Sequence, residues 1–247
     1  MIATLVNDWY LTTDTGGSMG STDTSAVSDK QIHNATKVYN YFNALQWTVN
    51  AISAIIGNMH LESWLSPALI QGTNRWRLPN NASNLSDVPN SVMLNFYDGY
   101  YGLSNGGFGI GLVQWDGDTS TPPAGQKLVS FAERYNLVWY DGDTQVFRIK
   151  REKETNIQWN PQNLGGTFWT WDTFVASTET PETLAYVWRV CYEVADPQTD
   201  ATRQANARYW YDYFIAHPVP PVDPTTLILL INNRKKVTRN VKWCKFS

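Results

Sequence analysis

The stretch that decides the fold reads Ile55-Ile56-Gly57-Asn58-Met59-His60-Leu61-Glu62-Ser63-Trp64-Leu65-Ser66-Pro67. Thr48 can cap a helix leading into it, and Ile52, Ile56 and Met59 then share one face. Glu62 lies three residues beyond Met59 on that same inward face. A glutamate that continues an apolar stripe is uncommon, because burying an unpaired charge is costly. Partial desolvation and the negative end of the helix dipole both disfavour the charged form there, which suits a group that donates a proton. The plainer alternative is a helix that frays at Leu61 and leaves Glu62 in solvent; the pattern alone supports both.

Working outward, the next informative segment is Gly106-Gly107-Phe108-Gly109-Ile110-Gly111-Leu112-Val113-Gln114-Trp115-Asp116. If extended, it places Phe108, Ile110, Leu112, Gln114 and Asp116 on one face. Its glycines allow tight turning and close approach to another backbone or a ligand. Between the two segments, residues 72–101 are polar, rich in Asn and Pro and without clean periodicity, which reads as a long loop or small lobe over a cleft.

Ser28 or Asp29 can cap an earlier helix, with Ile32, Ala35, Tyr39 and Phe42 at helical spacing. Downstream, helical spacing returns at Leu128, Phe131, Ala132 and Tyr135, then over 144–155, over 181–194, and over 201–215 with Ala205, Tyr209 and Tyr213 in register. Residues 1–28 read as an arm or linker of a short apolar piece followed by Thr, Ser, Gly and Asp. His217 to Pro224 is a stiff proline linker. Residues 225–247 are apolar, then basic, with the character of a small hairpin. The expected division is thus an arm over 1–28, a main domain over 29–216, a linker over 217–224 and a basic segment over 225–247.

At 247 residues and 43% apolar composition the chain suits one domain with short appendages. No run approaches the roughly 20 apolar residues of a membrane-spanning helix. The start lacks the basic flank and apolar core of a secretory signal, which predicts synthesis in a cytoplasm and no export by that route. The 225–247 segment holds six of the 19 basic residues and no acid, leaving 13 basic against 22 acidic side chains elsewhere. An acidic body argues against nucleic acid as the main partner; the basic segment either docks on an acidic surface or keeps an apolar strand soluble.

Cys191 and Cys244 could pair, but two isolated thiols far apart in sequence are more often free and buried. With three histidines and no Cys-x-x-Cys, neither a metal nor another cofactor is expected. His60-Leu61-Glu62 matches the His-x-Glu of zinc deaminases, but their Pro-Cys-x-x-Cys partner is missing. The 12 tryptophans invite two readings, a large core and a saccharide cleft; about one in four of the aromatics is expected in a cleft, given the rarity of full burial for Trp.

Taken together, these stretches resemble the phage tail lysozyme domain, a lysozyme-superfamily module of the tail knobs and tail tips of phages that infect Gram-positive bacteria. Asn50-Ala51-Ile52 through Gly57-Asn58-Met59 to Glu62-Ser63 and Ser66-Pro67 is similar to that family's catalytic-helix motif, and Gly109 to Trp115 to its hairpin strand. Thr144-Gln145, Arg148-Ile149 and Glu152 resemble its middle helix. Leu184-Ala185 through Tyr192-Glu193, with Arg203-Gln204-Ala205 and Trp210-Tyr211, resemble its closing helices. The order and spacing are more specific than any one motif, and the match covers most of the chain.

The resemblance implies a mainly α (α+β) lysozyme-like domain with a small β-hairpin lobe. It implies Glu62 as catalytic acid and Gln114 as a glycan contact, with Trp115, Gly111 and Trp64 as neighbouring substrate contacts. One position departs from the family, where a hydroxyl residue is typical and Asp116 stands here. Asp116 is either a gained second catalytic group or only a cap for the following loop, and Asp98 is the further candidate.

The implied activity is cleavage of the β-1,4 bond between N-acetylmuramic acid and N-acetylglucosamine in peptidoglycan, by hydrolysis or by lytic transglycosylation. The implied location is the tail tip or knob of a virion, where other tail proteins are partners and the wall is opened during genome ejection. Two rivals stand beside it, a non-catalytic glycan-binding or structural tail component, and a cell-wall peptidase or amidase using a cysteine.

Overall fold

The computed structural model describes residues 4–6, 8–11, 27–70, 87–93, 109–115 and 124–219. Asp98, Asp116, Cys244, the body of the 72–101 segment and the basic 225–247 segment lie outside them.

The architecture is mainly α, with two small antiparallel hairpins among the described residues. Strands β1 (Thr4–Val6) and β2 (Trp9–Leu11) pair first, followed by α1 (Asp29–Asn43) and α2 (Val49–Ser63). Helices α3 (Ala124–Arg134) and α4 (Gly142–Thr155) come next, then a hairpin of β3 (Gln162–Leu164) and β4 (Thr167–Trp169). Helix α5 (Trp171–Val175), α6 (Pro181–Trp188) and α7 (Asp200–Ala216) complete the body. Among the described residues no helix is long and apolar enough to cross a membrane.

The predicted caps form. Ser28 and Gln31 make a reciprocal capping box on α1, and the Thr48 side chain accepts from the Ala51 amide at the head of α2. Helix α2 is buried around nearly its whole circumference from Ala51 to Met59, which marks it as the central element. It packs against α7, α6 and α1.

Most of the aromatic content goes into this body. Nine of the ten tryptophans among the described residues are buried, and Trp159, Trp171, Trp188, Phe174 and Tyr192 form one continuous cluster, with Trp188 stacked on Tyr192 at 4.0 Å. Trp64 is partly exposed.

Three differences from the sequence reading have physical causes. Trp9–Leu11, expected within an arm, joins the core: Trp9 is fully buried against Gly142 and donates to Asp143 at 2.9 Å. Asn34 of α1 clamps β2, accepting from the Tyr10 amide at 3.0 Å and donating to its carbonyl at 2.8 Å. The β3–β4 hairpin has strands of three residues each, too short to show an alternating period in the sequence; only the Gly165-Gly166 turn, with both φ positive, signals it.

On α7 the buried face carries Arg203, Asn206, Ala207, Trp210 and Phe214, not the expected Ala205, Tyr209 and Tyr213 register. Two polar side chains interrupt that stripe, so apolar periodicity selected the wrong face.

Candidate functional site

Helix α2 continues through Ser63, so Glu62 is helical and does not lie on a frayed end. Trp64 and Leu65 then take left-handed conformations, φ 55° and 62°, and turn the chain sharply out of the helix. The exit is stitched to the Gly-rich segment. Ser63 Oγ donates to the Leu112 carbonyl at 2.8 Å, the Gly111 amide donates to the Leu69 carbonyl at 2.9 Å, and Ile70 bridges Ile110. The two segments singled out in the sequence therefore form one local unit.

The Gly-rich segment is not the extended, alternating strand expected. Ile110 and Trp115 exchange backbone hydrogen bonds at 3.2 and 3.0 Å around a turn over Gly111 to Gln114. Gly111 (φ 78°) and Gln114 (φ 50°) are both left-handed, which closes the loop on itself and cancels the two-residue period. At Gly111 a Cβ would stand 2.6 Å from Gln145 Oε1, so a side chain there would displace the Gln145 amide and strain the left-handed backbone. Gln145 pins the loop from below: its Oε1 accepts from the Leu112 amide at 2.7 Å, while its Nε2 donates to the Pro67 and Trp139 carbonyls at 2.8 and 2.7 Å.

The predicted substrate contacts divide accordingly. Trp115 is 3% exposed, donates to Glu152 at 3.3 Å and lies under Arg148, so it is a core anchor and not a surface for stacking sugars. Gly111 is buried in the loop's turn. Gln114 donates to the Gly111 and Leu69 carbonyls at 2.8 and 3.3 Å, while its Oε1 is buried without a hydrogen bond. A buried unpaired acceptor is unfavourable by about 1–3 kcal/mol unless a water or a ligand reaches it. Trp64, two residues after Glu62, stays partly exposed and lies edge-on to His60.

Around Glu62 the structure adds partners from distant parts of the chain. Glu62 keeps 23% of its side chain exposed and is ion-paired with Arg203 of α7, whose side chain is 3% exposed. The same guanidinium pairs with Glu193, donates to Asn58 Oδ1 at 2.7 Å and to Thr199 Oγ1 at 3.0 Å. Asn58 is oriented for this by donating its own amide to the Ala54 and Ala185 carbonyls. Glu193 also accepts from the Trp188 indole at 2.9 Å.

Burial pushes the Glu193 carboxyl up to about 8, against the pull of Arg203 and with the help of the Glu62 charge. Burial works against the charge on Arg203, but Glu193 and Glu62 outweigh it and raise its pKa.

Arg203 and Glu193 appear in the sequence motifs without an assigned role. The available signal was a matched pair of polar intrusions, Glu62 in the stripe of α2 and Arg203 in that of α7. Glu193 reaches the cluster only because α6 widens into a single π-helical turn, Arg189–Glu193, closed by the Val194 amide on the Arg189 carbonyl at 2.7 Å. His60 faces away from the cluster: it accepts from the Trp210 indole at 3.2 Å, and burial lowers its imidazole to about 4. Cys191 is buried, and burial pushes its thiol up to about 11, the opposite of an activated nucleophile.

Comparison with known proteins places the chain. A family model described as phage tail lysozyme matches residues 33–214. The chain is also similar to Morphogenesis protein 1 of Bacillus phage B103, at 30% identity over 179 residues. That stretch covers 72% of this chain and 38% of the relative, so the chain spans well under half of the relative's length.

Proposed function

We propose, since the chain belongs to the phage tail lysozyme family, that it cleaves the β-1,4 bond between N-acetylmuramic acid and N-acetylglucosamine in peptidoglycan, with Glu62 as the general acid. The observation that carries this reading is the placement of Glu62. It is a partly exposed carboxyl in the last turn of a buried helix, one residue before Ser63, which bonds that helix to the 109–115 loop. Glu62 protonates the leaving glycosidic oxygen, and the charge developing at the anomeric carbon is met by Asp116 or Asp98, by water, or by the muramyl 6-hydroxyl. Gln114, with its unpaired carbonyl, and the partly exposed Trp64 hold the glycan. The inert environment of Cys191 disfavours a peptidase that uses it as a nucleophile.

The test is release of reducing ends from purified peptidoglycan, with product masses separating hydrolysis from 1,6-anhydro products. Glu62→Gln is expected to lower turnover about 10²–10⁴-fold while folding and wall binding persist. A variant that keeps more than about a tenth of parental turnover would show that the acid is another residue.

The ion pair on Glu62 favours a second reading, a glycan-binding tail component that no longer turns over. Protein that sediments with cell walls without ever releasing reducing ends would support it.

We further propose that the protein reaches the wall as part of a virion tail, with residues 225–247 attaching it to other tail proteins. The hairpin expected from its sequence would be marginal alone and would need a partner surface. Purified particles should contain the protein by mass spectrometry, and deletion of 225–247 should leave a soluble enzyme missing from particles. Aggregation of the truncated chain would assign that segment to the core instead.

A further inference from the structure

One guanidinium serves two carboxyls in this site, and only one of them can reach a substrate. Arg203 lies between Glu62, which keeps an exposed edge, and Glu193, whose side chain is 5% exposed. Neutral acceptors hold the arginine from two further sides, Asn58 and Thr199, which fixes it between the two carboxyls. We infer that Glu193 is a positioning residue that, through the shared charge of Arg203, governs whether Glu62 keeps the proton it donates. This rests on the glycosidase reading above for its catalytic consequence, but its physical core concerns the cluster alone.

Two carboxylates around one arginine would leave a net negative charge in a largely buried place. With one proton distributed over the pair, the cluster is neutral. The raised Glu193 carboxyl is consistent with that shared proton. When Glu193 is ionised it neutralises Arg203, and Glu62 can hold its proton. On reaction, the Glu62 O–H bond breaks and a new O–H bond forms on the departing sugar. The Glu62 carboxylate left behind meets the guanidinium already in place. Glu62 then recovers a proton from the water or hydroxyl that attacks the anomeric carbon, and the starting state returns.

Among the described residues, the other charged and titratable groups at this cluster are few. Asp200 at the head of α7 adds negative charge near Arg203 but is itself held by Arg189 at 2.7 and 2.8 Å. His60, on α2 like Glu62, is turned to Trp210. Neither competes with Glu193 for Arg203.

The test is Glu193→Gln in the full chain, which keeps shape and size but cannot carry the neutralising charge. Arg203 would then act on Glu62 alone, so the alkaline limb of the pH–rate profile should move to lower pH. Turnover of peptidoglycan is expected to fall about tenfold at pH 7.5 and to stay within about twofold of the parent at pH 5. The same fractional loss at every pH, or no loss, would overturn the inference, because a merely structural role has no reason to follow pH.

Carbon-13 NMR titration of the carboxyl groups in the parent protein provides a readout independent of both activity and the variant's folding. The Glu193 signal should titrate in two steps rather than one, and a single-step titration would overturn the coupling. If the parent releases no reducing ends, the glycosidase reading fails alone and the titration still decides this one.

Discussion

Gly57 of α2 and Ala207 of α7 are in direct backbone contact: a Cβ on Gly57 would stand 2.5 Å from the Ala207 amide nitrogen and 2.7 Å from its Cα. Helices approach this closely only where one of them presents no side chain. Glu62 follows Gly57 by little more than one turn, and Arg203 precedes Ala207 by about one turn, so this crossing sets the separation of the ion pair. Gly57→Ala is expected to cost about 1–3 kcal/mol in urea unfolding through overpacking, and to reduce turnover further in the folded fraction. A variant as stable and active as the parent would mean that the helices have room to part.

Acid should weaken the fold through His60. Its folded value of about 4 lies below the ordinary 6.5, so the unfolded chain takes up a proton near pH 6.5 that the folded chain refuses until about pH 4. Stability that is intact above pH 6.5 is therefore lost as pH falls toward 4, by up to about 3 kcal/mol. In His60→Gln the fall in Tm over that window should be shallower, and an unchanged slope would clear His60 as the source.

Glu193 has the opposite sign. Its folded value of about 8 lies above the ordinary 4.5, so its contribution is fully present below pH 4.5 and is lost as pH rises through 8. Glu193→Gln, which has no proton to lose, should show a flatter decline of Tm between pH 5 and pH 8.5 than the parent. A steeper decline would contradict the buried, protonated carboxyl.

Gln145 holds the loop with three hydrogen bonds, none of which solvent can replace in a site that is fully buried. Gln145→Leu leaves the Leu112 amide and two carbonyls unpaired, and at about 1–3 kcal/mol for each buried unsatisfied group the loss should exceed 2 kcal/mol. Protease cleavage near residues 109–115 should also quicken. Parental stability would mean that the loop is secured without the clamp.

The two tryptophans once paired as substrate contacts should separate in kinetics. Trp64→Ala, at a partly exposed position, is expected to raise KM several-fold with kcat within about twofold of the parent. Trp115→Ala is expected to lower Tm, since it removes a buried anchor and about 3–5 kcal/mol of packing. Equal effects of the two on KM would restore Trp115 to the glycan.

The sequence alone determined the local elements, because their causes are local. Thr48 and Ser28 cap helices through bonds to residues three positions away, and apolar spacing then marks α1 and α2. It also marked Glu62, since a carboxyl in an apolar stripe is visible without any knowledge of its surroundings.

Elsewhere local pattern gave way to contacts. The 109–115 loop reads as a strand by alternation, yet left-handed Gly111 and Gln114 and the distant Gln145 make it a turn. On α7, Arg203 and Asn206 break the stripe that is in fact buried.

Only the tertiary structure decided what surrounds Glu62. Its cation arrives from 141 residues away, and Glu193 turns inward through a π-helical turn that no propensity announces. Charge, burial and a shared proton are properties of groups brought together in space, so the chain order that names each residue could not assign the company it keeps.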